Sequence, residues 1–573
     1  MAHSRGLAII SDLRETESVA DSSLKRLPQT VFHDHLSQLS EVTLSQFERR
    51  FCALVLGALS VVCTGQAVRG QEQQRQPRSD EARTGDAAKP EPPTPPIPPE
   101  KSSVTHHDLT LDGKALHYTA TAGTLLIRDG EDDHPYGSIF YVAYTLDGAD
   151  ANARPVTFLY NGGPGSATIW LHMGSVGPMR VVTDSPDATG PAPYQLVPNQ
   201  SSLLDKSDLV FVDAPLTGFS KAVGKGTEKD FRGVDQDIKA FDKFVIRYIT
   251  VNNRWNSPKY LFGESYGTPR SAGLADALQE DGVSVNGVIL LSSILNFAVG
   301  SPGLDENSVG TLPSYAAIAW YHNKLQNKPP DVKAYLDEVR AYARGEYATA
   351  LRLGDRISPE QFNTVAAKVA QFTGLSVQYV KDANLRINPS RFRKELMRED
   401  GGILGRYDAR FEGSDVDNAG ETPGYDPSDT GIAGAFVAAF HNYLANDLKW
   451  ETTDTYHVSS ASEVPWDMTH RMPGARFPGG GGGRGGSPYL AGDLADAMRK
   501  DPKMKVFSAN GYFDLATPFF ITEYDLEHMM LTPALAKNVE FGYYPAGHMV
   551  YLNVDALKEF KHDLAGFYTE TGH

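Results

Sequence analysis

Along residues 104–310, and again beyond residue 500, short unbroken apolar runs alternate with segments whose apolar residues recur every three or four positions. The runs Val156–Tyr160, Leu209–Val212, Tyr260–Phe262 and Gly287–Leu291 show almost no polar face, as expected of strands covered on both sides of a parallel sheet. Between Val234 and Tyr248 the residues Val234, Ile238, Phe241, Val245 and Tyr248 share one face of a helix. The pattern returns at Lys505–Ala509 and Val539–Tyr544, and Leu557, Phe560, Leu564 and Phe567 line a closing amphipathic helix. Upstream, Leu109 and Leu111 alternate with polar residues as far as Asp112-Gly113, and Leu116 and Tyr118 alternate after it, which predicts a hairpin. Ser138–Leu146 is a further strand. The fold class that follows is α/β, a mostly parallel central sheet with helices on both faces.

Residues 311–478 break the alternation. Pro313, Ser358-Pro359 and Asn388-Pro389 mark helix starts and strand-like runs are scarce, so the stretch reads as a mainly helical cap inserted above the sheet edge. It divides the core into 104–310 and 479–573. The tract 479–486 lacks the Lys-Ser/Thr ending of a phosphate loop and no apolar strand precedes it, so it reads as a flexible linker. Residues 68–103 are polar and then proline-rich, an extended tether. There are no internal repeats.

Composition narrows the function. A formal net charge of −17 argues against nucleic acid as a partner and against a polybasic membrane anchor. The chain's two cysteines, Cys52 and Cys63, bound one apolar run that follows Glu48-Arg49-Arg50. A positive start, an apolar run too short to span a bilayer and small residues after it fit a secretory signal cut after Ala67. Residues 1–67 are then an N-terminal extension and signal peptide, with a translation start downstream of Met1, and the protein is exported, periplasmic or secreted. The alternative is an anchor at residues 51–63, the one case in which a membrane is a partner. Once cut, the chain has no cysteine, hence neither a disulfide nor a thiol-ligated metal.

The chemistry centres on Lys259–Gly267, a strand, a tight turn and a helix with Ser265 at the apex between Gly263 and Gly267. A serine hydroxyl needs a base, and the base an orienting acid. Asp514 and His548 each stand just beyond the carboxyl end of an expected strand. The order Ser265, Asp514, His548 is that used on α/β-hydrolase sheets. An oxyanion hole needs a second N–H from a glycine-rich loop, and Asn161–Gly165 follows such a strand.

Asn161-Gly-Gly-Pro-Gly165, Asp213–Ser220, Gly263-Glu-Ser-Tyr-Gly267, Gly511-Tyr-Phe-Asp514 and Gly547-His-Met549 together resemble the serine carboxypeptidase family over most of residues 104–573. The resemblance implies an α/β-hydrolase fold with Ser265 as nucleophile, His548 as general base and acid, and Asp514 orienting His548. It implies an oxyanion hole from the N–H groups of Gly163 and Tyr266. It also implies that Asn161 and Glu264 hold the terminal carboxylate of a peptide or protein substrate, Glu264 sharing a proton with it. No cofactor and no metal is implied: there is no H-E-x-x-H, and His106-His107 reads as strand surface. Oligomeric state is not read from the sequence.

Two positions depart from the family pattern. Ser166 stands where members carry a cysteine, and Ser175 where many place a glutamate for the carboxylate, leaving His172, Arg180 or a cap residue to replace it. The alternatives are therefore an esterase, acyltransferase or other serine peptidase with altered carboxylate recognition, and an inactive binding homologue, which the three reactive residues count against.

Overall fold

The computed structural model describes residues 95–460, 462–476, 482–485 and 487–572, all within the unit Glu91–His573. The signal segment, Cys52, Cys63, Ala67 and most of the proline-rich tether lie outside the described residues.

One sheet organises the chain. Its strands are β1 (Ser102–Leu111), β2 (Lys114–Asp129), β3 (His134–Leu146), β4 (Val156–Tyr160), β5 (Asp208–Val212), β6 (Lys259–Glu264), β7 (Gly287–Leu291), β8 (Lys505–Gly511) and β9 (Val539–Tyr544). They lie in the order β1-β2-β3-β5-β4-β6-β7-β8-β9, with the short strand Lys221–Ala222 beside β3. β1 and β2 form the expected hairpin, closing at Leu111 opposite Lys114, and β3 to β5 is also antiparallel. From β5 to β9 every pairing is parallel. The exchange of β4 and β5 in the order is where successive crossovers diverge, so a crevice opens beyond the carboxyl ends of the strands. This is an α/β-hydrolase fold.

Period-two alternation sends each parallel strand's side chains to two cores. On one face Leu159, Tyr260, Phe262, Ile289 and Leu291 pack with α1 (Ile169–Gly174). On the other, Val156, Phe158, Tyr160, Leu261, Val288 and Leu290 pack with α2 (Val234–Val251) and α3 (Gly267–Glu280). The runs are continuously apolar because both faces are covered.

A third core belongs to α4 (Glu306–Tyr321), α5 (Val332–Tyr342), α6 (Pro359–Thr373) and α7 (Pro389–Glu395). Ser358 and Asn388 cap α6 and α7 as the sequence suggests. Pro313 does not start a helix: it lies inside α4, which begins at Glu306. The buried run Leu312–Ala319 outweighs the lost backbone bond.

The helical insertion is not one body. α8 (Pro427–Asn446) buries Ile432, Phe436 and Phe440 on the sheet's first face rather than among α4–α7. The glycine tract is also not a free linker, since Gly482–Gly485 pairs antiparallel with His470–Arg476. Hydrogen bonding along the backbone needs no side chain, so glycines form a strand where a partner strand is offered. The sheet layers are completed by α9 (Ala491–Lys500), α10 (Phe519–Glu527) and α11 (Val554–Glu570), the last burying Leu557, Phe560, Leu564 and Phe567.

Candidate active site

The turn after β6 is forced by close approach. A Cβ on Gly263 would stand 2.0 Å from the carbonyl oxygen of Gly267, so only glycine fits. Ser265 then takes φ 58°, the left-handed region that residues with a side chain seldom enter. Its N–H donates to Leu291 O at 2.9 Å, and its hydroxyl has no protein partner among the described residues.

The turn after β4 lies against this elbow. A Cβ on Gly162 would be 2.2 Å from the Tyr266 nitrogen. Neither the Gly163 N–H nor the Tyr266 N–H donates to a protein acceptor among the described residues. Tyr266 is buried, where amides are rarely left unpaired, whereas Gly163 is exposed. Arg270, fully buried on α3, fixes the two turns together. It donates to both carboxylate oxygens of Asp237 (2.7 and 3.1 Å) and to Asn161 O (2.7 Å), with the faces of Phe241 and Tyr160 packed on its guanidinium.

Asp514 and His548 follow β8 and β9 and meet directly. His548 Nδ1 donates to Asp514 Oδ2 at 2.7 Å, both side chains buried. The same Oδ2 accepts from Thr517 Oγ1 (2.7 Å), and Oδ1 from the N–H groups of Ala516 and Thr517 (2.7 and 3.1 Å). Burial pushes the imidazole's pKa down, but the Asp514 charge and hydrogen bond, with Glu264, more than offset this and hold it above its ordinary range. No hydrogen bond joins the Ser265 hydroxyl to His548. Such bonds are often long before substrate binds. The two loops are linked through the end of β7, where Leu291 O receives the Ser265 N–H and the Ser292 hydroxyl donates to His548 O at 2.6 Å.

Glu264 is 1% exposed, and burial pushes its pKa up to about 7, with Asp514 adding to the rise and His548, Tyr551 and Asn161 opposing it. Tyr551 Oη donates to Glu264 Oε2 at 2.9 Å. Asn161 is also buried and adjoins the same carboxyl, while its Oδ1 accepts the Leu171 N–H at 2.9 Å. Asn161 and Glu264 therefore come together as the sequence suggests, with Tyr551 as a third member it did not reveal.

His172, considered as a substitute for an acid at 175, is engaged elsewhere. The Ser175 hydroxyl is turned onto Leu171 O. His172 is in the core, stacked on Phe211 at 4.3 Å and bonded to Tyr144 Oη, its pKa forced down to about 3 by burial. Arg180 lies half-buried on the short strand Met179–Val181. Asp213 is buried, held by Thr168 N–H and Tyr456 Oη, and raised by burial to about 7.

Two further contacts carry no motif. The His548 N–H donates to Tyr407 O at 2.6 Å, and the two rings lie 5.2 Å apart. Trp466 Nε1 donates to Tyr266 Oη at 3.2 Å. A cleft of about 900 Å³ near Arg340, Tyr512, Tyr543 and His562 includes none of Ser265, Asp514 or His548. An unspent hydroxyl, an imidazole–carboxylate pair and two unspent amides on one strand edge are the parts of nucleophilic acyl transfer.

Residues 121–397 match the family model described as serine carboxypeptidase. The chain is 29% identical over 191 residues to the pheromone-processing carboxypeptidase KEX1 of Cryptococcus gattii, covering 33% of this chain and 26% of that one. With KEX1 of Saccharomyces cerevisiae it shares 30% identity over 156 residues, 25% of this chain and 20% of the other. The match therefore spans about a quarter or less of the length of these relatives. The crystal structure of the Saccharomyces cerevisiae prohormone-processing carboxypeptidase KEX1(delta)p superposes with a TM-score of 0.46 at 16% identity, over 79% of this chain and 91% of that one.

Proposed function

The chain belongs to the serine carboxypeptidase family, and on that premise we propose that it is a serine peptidase releasing C-terminal residues from peptides through an acyl-enzyme on Ser265. The observation that carries the reading is the buried His548–Asp514 pair, at 2.7 Å, on the same sheet edge as the positive-φ serine.

In this mechanism neutral His548 takes the Ser265 proton at Nε2 as Oγ attacks the last peptide carbonyl. Asp514 keeps Nδ1 protonated and stabilises the imidazolium. The oxyanion receives the N–H groups of Gly163 and Tyr266. Collapse breaks the C–N bond, His548 hands its proton to the departing amino group, and water reverses the sequence on the ester. Asn161 and Glu264 receive the carboxylate of the departing residue.

The pH dependence has a definite sign. Below about 7 Glu264 is neutral and can donate to the substrate carboxylate; above that it ionises and repels it, so KM rises. His548, held above its ordinary range, must be neutral to act, so kcat falls toward acid pH. Replacing Glu264 with Gln flattens the alkaline rise in KM; a rise that persists unchanged in Glu264→Gln refutes the assignment.

The deciding assay compares a peptide with its C-terminal amide. A carboxypeptidase rejects the amide. Equal turnover of both points to the second reading, an esterase or other serine peptidase, which the burial of both Asn161 and Glu264 and the displaced Ser175 hydroxyl favour. A fluorophosphonate that labels the protein but not its Ser265→Ala variant excludes an inactive homologue. Export rests on the apolar segment 51–63, and fusing residues 1–70 to an export reporter tests it.

A further inference from the structure

The side chain beside Glu264 has no counterpart in any motif of the sequence. Tyr551 lies on the short turn Val550–Leu552, just after His548, so one segment delivers both the imidazole and this hydroxyl. Its place is kept clear by Gly174, where a Cβ would stand 2.5 Å from the Tyr551 ring. The neighbouring Ser175 hydroxyl is spent on Leu171 O and does not reach Glu264. Asn161 adjoins both Glu264 and Tyr551 and favours the ionised form of each, while its carbonyl oxygen accepts the Leu171 N–H at 2.9 Å.

We propose that Tyr551 is a positioning residue for substrate selection, fixing Glu264 so that its remaining oxygen presents a proton to the terminal carboxylate of the substrate. The inference rests on the carboxypeptidase reading. Glu264 Oε2 accepts the Tyr551 hydroxyl at 2.9 Å. The carbonyl oxygen of a neutral carboxyl is the better acceptor, so this bond favours the tautomer with the acid proton on Oε1. The groups acting on Glu264 from the packed elements are His548 and Asp514, with Tyr551 as its hydrogen-bond partner and Asn161 beside it; Arg406 acts on His548 from the cap side. With a serine at 175 there is one acid here, and Tyr551 supplies the polar contact that orients it without adding charge.

The test is Tyr551→Phe, which removes one oxygen and leaves the ring against Gly174. Steady-state kinetics are measured from acid to mildly alkaline pH on a peptide with a free C-terminus and on a small ester without a carboxylate. Loss of a hydrogen bond to an ionisable partner predicts about a tenfold fall in kcat/KM for the free acid, carried by KM, against about twofold or less for the ester. The alkaline rise in KM moves to higher pH, because ionised Glu264 loses a donor. Equal losses on both substrates, or undiminished preference for the free acid in the variant, overturn the inference. A wild-type enzyme that turns over the C-terminal amide as fast as the acid removes the carboxypeptidase reading first, and this inference with it.

Discussion

Two regions meet over Ser265 and are built in opposite ways. The strand-edge loops after β4, β6, β8 and β9 are shaped by backbone: Gly162 and Gly263 sit where a Cβ would collide, and Ser265 is held at φ 58°. The stretch from Tyr407 to His470 is shaped by side chains and single bridges. It reaches the site through Tyr407 O to His548, Tyr456 to Asp213, Ser460 N–H to Gly165 O, and Trp466 to Tyr266. The difference teaches where the proposed function is written: the first region carries the groups proposed to react, the second sets their surroundings.

The sharpest test of that division removes the chemistry outright. Ser265→Ala or His548→Ala is expected to lower kcat by about 10⁶ while leaving the thermal midpoint near wild type. A substitution in the Tyr407–His470 stretch that costs as much without unfolding the protein would break the comparison.

The next largest effect is expected in the second region, and on stability. Arg410 and Asp408 are a buried pair at 2.6 Å, and Arg410 also donates to Pro545 O at 3.0 Å on the loop that carries His548. Arg410→Ala leaves Asp408 buried and unpaired, a loss of about 3–5 kcal/mol measured by denaturant unfolding. Turnover by the folded fraction falls far less than in Ser265→Ala.

Returning to the first region, Gly162→Ala pushes a methyl against the Tyr266 amide. Loss of one oxyanion donor predicts a fall in kcat of about 10²–10³ with KM little changed, read by single-turnover acylation. A variant of full activity would show that the Tyr266 N–H is not a donor to the reaction.

The same contrast explains what the sequence discloses. Buried parallel strands, the serine turn and the strand-end Asp514 and His548 are local patterns, and each is legible because glycine or an unbroken apolar run has one physical reason to be there. Tyr551 and Arg270 act through partners distant in the chain, Tyr551 on Glu264 and Arg270 on Asn161 and Asp237. A tyrosine or arginine has many uses, and nothing nearby selects this one. Pro313 misleads because tertiary burial of α4 overrides a local signal. α8 misleads because it is apolar on most of its circumference, so its sequence does not say which core it joins.

The smallest predicted effect asks whether the second region can be loosened without touching the first. His470 is buried with Nδ1 on Asp235 (2.6 Å) and Nε2 on Asp493 (3.0 Å), pinning the end of the Trp466 stretch to α2 and α9. Burial lowers its pKa, but the two carboxylates more than offset this and raise it to about 9. A folded-state pKa above the unfolded value means the stabilisation is complete below about 6.5 and is lost as pH rises through about 9. The thermal midpoint of the wild type should therefore fall relative to His470→Gln between these limits, by about 1–2 °C in a protein this large. Amide exchange at 462–470 should quicken over the same interval, while fluorophosphonate labelling of Ser265 follows His548 instead. If labelling and exchange change together, the two regions are one cooperative unit, and the separation drawn between chemistry and surroundings fails.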